Sequence, residues 1–143
     1  MTREEKALWL RAERGYNCAQ AVICAYADMT DMSEKDLFRI SEGFGSGLGC
    51  TLGTCGALNA ACMMAGLKKS TGNLFRGDSK GKTYGVTRDM AKEFAAEAGA
   101  VRCRDLKGIE TGKVLYTCED CVRLGCRLIE KHFPATKVNM SSW

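Results

Sequence analysis

The sequence has little of what marks most functional classes. It holds a single histidine, His132, so a histidine-pair zinc site cannot be assembled from it, and no Ser-His-Asp set stands out. No apolar stretch reaches the roughly 18 residues that span a membrane. The net charge is +4, yet basic and acidic residues are mixed throughout. With no long basic run and no aromatic–basic alternation, a nucleic-acid partner is not expected. The amino-terminal stretch MTREEKALWLRAERG is charged and amphipathic and has no apolar h-region. That argues against a signal peptide and for a cytoplasmic protein without a membrane partner. No strand series, internal repeat or second domain stands out.

Cysteine is what the chain has in excess, nine in 143 residues. In a secreted mini-protein that density means a disulfide framework. In a reducing cytosol it points to metal ligands, redox thiols or small core residues. Three of the nine follow a helix-capping residue, in Asn17-Cys18, Thr54-Cys55 and Thr117-Cys118. Asn and Thr cap helices because a side-chain oxygen accepts from a free backbone N–H. Each pair precedes a helix-forming run, which puts each cysteine in a first helical turn, where the helix dipole favours thiolate over thiol. Of these, Cys55 is expected to be the most acidic, because a glycine-rich loop adds backbone donors. Cys118 is expected to be less acidic, opposed by Glu119 and Asp120.

Periodicity predicts an all-α fold, a compact single-domain bundle of about five to six helices with a glycine-rich loop. Thr2 caps a first helix that Gly15 ends. A second runs from Cys18 to about Met29, and Ser33 caps a short third. Residues 43–53, GFGSGLGCTLG, carry five glycines and form a loop in which the backbone bends tightly or approaches something closely. Thr54 starts a fourth helix that stops at Gly66, and residues 67–82 read as a long polar loop. Apolar residues from Tyr84 to Ala98 mark a fifth helix ending at Gly99. Residues 103–116 read as an irregular connection. The last helix spans Cys118 to His132 and is closed by Pro134, the one proline. Residues 1–143 are read as one domain and 135–143 as a frayed tail.

The glycine loop does not fit a phosphate-binding fingerprint: counted from Gly45 as the first position the sixth is Cys50, counted from Gly47 it is Leu52, and Gly53-Thr54-Cys55 is no Walker ending. A glycine collar giving access to Cys55 is the alternative. Cys118-Glu-Asp-Cys121 is followed by Val122 rather than His, so it is not a haem-attachment site. Cys118, Cys121, Cys126 and His132 share one helix, a poor basis for a tetrahedral zinc site. Cys24, Cys62, Cys121 and Cys126 lie inside helices and read as small core residues. Cys121, as part of C-x-x-C, and Cys50, in the glycine loop, remain secondary site candidates. Cys103 lies between Arg102 and Arg104, whose charges are expected to lower its pKa.

The order NCAQAV, a glycine-rich stretch, CGALNAA, VRCRDLKG and TCEDCV resembles a family of redox-active proteins named for a C, GCAxxG, C, C signature. The resemblance covers about residues 15–132. The matching cysteines are Cys18, Cys55, Cys103 and Cys118, and one departure is Ala60 where the pattern ends in Gly. It implies a small helical domain in which these four cysteines converge as redox or metal-ligand residues, with Gly56, Ala57, Arg102 and Arg104 supporting a cofactor.

Three functions follow from that set. In the first, an electron-transfer protein, four thiolates hold an iron–sulfur cluster whose negative charge is offset by helix N-termini and arginines. The second is a thiol–disulfide protein without metal. The third is a partner-binding helical module with structural cysteines. The first two imply a redox partner protein, and a homodimer is compatible with the chain. Nothing in the sequence decides whether the protein is an enzyme.

Overall fold

The computed structural model describes residues 1–134; the tail read as frayed lies outside the described residues. Seven α-helices run in chain order: α1 (Arg3–Arg14), α2 (Cys18–Cys24), α3 (Glu34–Ser41), α4 (Gly56–Lys69), α5 (Lys80–Ala98), α6 (Cys103–Lys107) and α7 (Cys118–His132). Among the described residues the one extended pairing is a bridge between Thr54 and Arg102.

The helix α4 is the centre of the bundle, packed against α2, α5 and α7, while α1 closes over α2 and α7. Its small residues, Ala57, Ala60 and Ala61, are fully buried and let neighbouring backbones come close. Gly125 of α7 meets Ala57 so closely that an added Cβ would stand 2.9 Å from the Ala57 carbonyl oxygen. Larger side chains fill the space further down the bundle: Tyr26, Met64, Met90, Phe94 and Ile129 are all fully buried. Tyr26 donates its buried hydroxyl to the Cys126 carbonyl at 3.1 Å, tying the end of α2 to α7.

Caps read from sequence hold at three helices. Thr2, Ser33 and Thr117 each accept the backbone N–H three residues on. Asn17 and Gln20 form a reciprocal capping box that fixes the start of α2. Gly15 ends α1 and Gly99 ends α5, both in the left-handed conformation.

Four boundaries differ from expectation. The helix α2 ends at Cys24 rather than near Met29. The Ala25 carbonyl is taken by the buried guanidinium of Arg3 at 2.9 Å, and the chain continues as a short 3-10 turn over Ala27–Met29. The helix α4 starts at Gly56, because Thr54 is engaged with Arg102 and caps nothing. It then passes through Gly66 to Lys69, since one glycine costs a helix only about 1 kcal/mol. With α5 beginning at Lys80, the polar loop shrinks to residues 70–79, where Asp78 accepts from Thr71 and Asn73. Finally, the connection read as irregular contains α6, a single turn anchored by buried Leu106 and ended by Gly108.

Candidate thiol site

The N-terminal ends of α2, α4, α6 and α7 meet on one side of the bundle, around a cavity of about 260 Å³. Cys18, Cys55, Cys103, Cys118 and Cys121 all line it. All nine cysteines of the chain are free thiols.

Each site cysteine has its own placing device. Cys18 and Cys118 open α2 and α7 behind the caps of Asn17 and Thr117. Cys55 and Cys103 are set side by side by two short backbone bonds, from the Cys55 N–H to the Val101 carbonyl at 2.8 Å and from the Cys103 N–H to the Gly53 carbonyl at 2.9 Å. Cys121 follows Cys118 by one helical turn, the spacing at which side chains share a helix face.

The thiols stand in pairs. Cys118 pairs with Cys18, and its pKa is lowered to about 6 by that hydrogen bond, with Lys107 and Arg11 adding to the effect. The same bond drives Cys18 far up, because Cys18 is the partner that keeps the proton. Deeper in, Cys55 pairs with Cys121. Cys55 is lowered, first by the bond from Cys121 and then by the backbone N–H groups of Ala57 and Leu58, and Cys121 is raised strongly. The outer pair is therefore a thiolate held by a thiol, and in the inner pair Cys55 is the more acidic partner.

The expected order of acidity is thus reversed. Cys118 has the larger downward shift, although Glu119 opposes it as foreseen. Glu119 is itself bound to Arg11 at 2.9 Å and Asp120 to Arg123 at 2.9 Å, so neither carboxylate stands free against the thiolate. Cys55 is the residue before the first helical turn rather than within it.

The two arginines beside Cys103 do not serve it. Arg102 is paired with Asp105 and Arg104 with Glu110. Burial instead pushes the Cys103 thiol up, and the nearby cation is Lys107. The cations at the cavity are Arg11 and Lys107, neither of them adjacent in sequence to a site cysteine. Gly56 lines the cavity. A Cβ on Gly56 would meet the Phe44 carbonyl oxygen at 2.9 Å and Ala19 Cβ at 3.2 Å, so its small size serves the packing of α4 on α2.

The glycine loop contributes a wall. Gly47–Thr51 form one wide turn, and Ser46, Gly47, Leu48, Gly49 and Thr51 all have positive φ. Glycine is needed at 47, where a Cβ would come within 2.5 Å of Cys103 Cβ. The collar therefore closes on Cys103 rather than on Cys55, and Ser46 reaches the cavity and holds Lys107 at 3.2 Å.

The remaining cysteines stay apart. Cys50 is exposed and lies outside the cavity lining, its thiol directed at the Gly47 carbonyl. Cys24 and Cys126 are core residues, with burial pushing each thiol up to about 12. Cys62 is half-buried on α4, its thiol pushed up to about 11. Cys121 is a core residue, as its place inside a helix suggested, and it also lines the cavity, which its C-x-x-C spacing to Cys118 had signalled. His132 sits in the last turn of α7, 3.3 Å from Glu93.

Among the described residues, no group of three or more His, Cys, Asp or Glu side chains is disposed to hold a metal ion. The donor set at the cavity is nonetheless all thiol, with Cys18, Cys55, Cys103 and Cys118 among its lining residues.

Fold and site together describe a small, cysteine-rich, all-α protein with five cysteines gathered around one cavity at helix N-terminal ends. The family model described as "Putative redox-active protein (C_GCAxxG_C_C)" matches residues 16–132, and the chain belongs to that family. Searches of curated proteins and of solved structures returned no match. Among the described residues no helix is long and apolar enough to cross a membrane.

Proposed function

We propose that the protein is a thiol–disulfide redox protein of the reducing cytosol whose working couple is Cys118 and Cys18. The observation that carries this reading is placement: Cys118 and Cys18 line one cavity, both partly exposed, and Cys18 lowers the Cys118 pKa from a position where it can resolve a mixed disulfide. The Cys118 thiolate attacks one sulfur of a partner disulfide, forming a mixed disulfide and releasing the partner's other sulfur as a thiolate. Cys18 then attacks the Cys118 sulfur. Its proton passes to the departing partner sulfur, and a Cys18–Cys118 disulfide remains. The partner gains two electrons and the protein loses two.

A pKa near 6 makes Cys118 largely ionised at neutral pH while keeping useful nucleophilicity. Arg11 and Lys107 stabilise the thiolate before attack and again when it is the leaving group in the reverse direction.

The test is to mix the fully reduced protein with glutathione disulfide under nitrogen and map the disulfides by mass spectrometry. The Cys18–Cys118 bond is expected first, at a rate that rises through a single ionisation near pH 6. Unchanged kinetics in Cys118→Ser overturns the reading.

A second reading is favoured by five thiols and two cations lining one cavity. An iron–sulfur cluster would be held by four of the five, Cys18, Cys55, Cys103 and Cys118 in the set the sequence suggests. It would supply one-electron transfer to a redox partner protein. Iron and sulfide analysis of protein purified without air separates the two readings.

A further inference from the structure

The cavity holds more thiols than one dithiol couple uses, and the surplus is arranged. The outer pair, Cys18 and Cys118, is partly exposed. The inner pair is nearly closed off, with Cys55 6% and Cys121 3% exposed. A disulfide-bearing partner can reach the first pair and not the second. Yet the two pairs share one cavity, and Cys118 and Cys121 are one turn apart on α7. Each pair also lies within the electrostatic reach of the other: Cys55 acts on Cys18, and Cys118 acts on both Cys55 and Cys121.

We infer that Cys55 and Cys121 form a second redox couple, charged only through the first, so that the chain relays a disulfide inward and stores four electrons rather than two. The inference rests on the thiol–disulfide reading above and assigns the inner thiols a task of their own.

The relay balances in two exchanges. The Cys55 thiolate attacks the Cys18 sulfur of the outer disulfide, a Cys18–Cys55 bond forms, and Cys118 leaves as a thiolate. Departure of Cys118 rather than Cys18 is favoured because the more acidic thiol is the better leaving group. Cys121 then attacks the Cys55 sulfur, and its proton passes to Cys18, which departs as a thiol. The products are a Cys55–Cys121 disulfide and the restored outer couple of Cys18 thiol and Cys118 thiolate. No electron leaves the protein in either step, and no further reagent is required. A second partner disulfide can then reoxidise the outer pair.

Burial gives the arrangement its purpose. A disulfide between Cys55 and Cys121 is screened from external thiols, so it is read out only by reducing the outer pair first. The site thereby behaves as a buffer with one port.

The experiment follows thiol loss and disulfide position over time in the reduced protein with excess glutathione disulfide. Wild type is expected to lose four cavity thiols in two phases, Cys18–Cys118 appearing before Cys55–Cys121. Cys55→Ser and Cys55→Ala should each stop after the first phase and accumulate the outer disulfide. Cys118→Ser should slow formation of the inner disulfide at least tenfold. Three results overturn the relay: an outer disulfide that forms with no inner one after it, an inner one that forms first, or an inner one that forms as fast in Cys118→Ser as in wild type. The wild-type time course decides the matter even if a variant fails to fold. Absence of any Cys18–Cys118 disulfide would instead overturn the underlying thiol–disulfide reading, so the two failures are distinguishable.

Discussion

Cys118 and Cys18 face each other from the first turns of α7 and α2, and their hydrogen bond moves the two acidities in opposite directions. One proton shared between two sulfurs makes the outer sulfur a nucleophile and its neighbour a proton store. The arrangement needs no histidine, which fits a chain whose one histidine stands by Glu93 in the last turn of α7.

The pairing sets the pH dependence of reactivity. Alkylation of Cys118 in the reduced protein should rise with a midpoint near pH 6. Because the bond from Cys18 is the largest cause of that low value, Cys18→Ala should move the midpoint upward, toward the ordinary thiol range of about 8.5. A midpoint unmoved in Cys18→Ala would show that the cations alone ionise the thiol.

Those cations make a smaller, separable contribution. Lys107 lowers Cys118 by its charge and is held toward the cavity by Ser46. Lys107→Gln should raise the Cys118 midpoint, and the difference from wild type should shrink as salt is added, since partly exposed charges are screened over about 10 Å at 0.1 M. Alkylation rates at two ionic strengths check both the sign and the origin.

Stability is set partly at the opposite end of α2. Arg3 is 3% exposed, donates to the Ala25 carbonyl and makes a bidentate pair with Asp28 at 2.6 and 2.8 Å. Arg3→Met should cost about 2 kcal/mol, the range for hydrogen bonds to a charged group, read as a lower melting temperature. The Arg3 guanidinium holds the Asp28 carboxyl below its usual range. A carboxylate lowered in the folded state contributes stability that is present above its unfolded pKa, near 4, and is lost as pH falls through the folded value. In Arg3→Met that part of the acid dependence should be reduced.

The fold was legible where the chain signals locally. Thr2, Asn17, Ser33 and Thr117 act on amides three residues away, so a short sequence window contains the whole interaction. Thr54 misled because its partner, Arg102, is distant in sequence, and a backbone pairing of that kind leaves no periodic trace. The helix α6 escaped notice for a related reason, being one turn with a single apolar anchor at Leu106. At the site, Cys18 and Cys118 carried their caps beside them. The charges that tune them did not: Arg102 and Arg104 are adjacent to Cys103 and turn away to Asp105 and Glu110, whereas Arg11 comes from α1 and Lys107 from the far end of α6. Sequence adjacency decides helix starts, but three-dimensional approach decides which charge a thiol feels.

The same logic makes Gly125 the most informative position outside the cavity. It is not among the residues that line the cavity. Its backbone lies against Ala57, and a Cβ there would stand 2.9 Å from the Ala57 carbonyl oxygen and 3.2 Å from Ala57 Cβ. Backbone cannot rotate away as a side chain can, so Gly125→Ala must push α7 off α4. The cost should be about 1–3 kcal/mol, typical of overpacking. The displacement is directional. Cys121 lies one turn before Gly125 on the same face, and Cys55 immediately precedes the first turn of α4, so the shift separates the inner thiols. Gly125→Ala should therefore melt lower and form the Cys55–Cys121 disulfide more slowly, while Cys18–Cys118 still forms. Cys126→Ala is the control: it empties part of the core beside Gly125, should lose about 1 kcal/mol or somewhat more, and leaves the α4–α7 approach intact. Parallel melting curves and disulfide maps decide the point. If both variants slow the inner disulfide equally, lost stability alone is responsible; if only Gly125→Ala does, the close approach of α7 to α4 is what sets the inner couple.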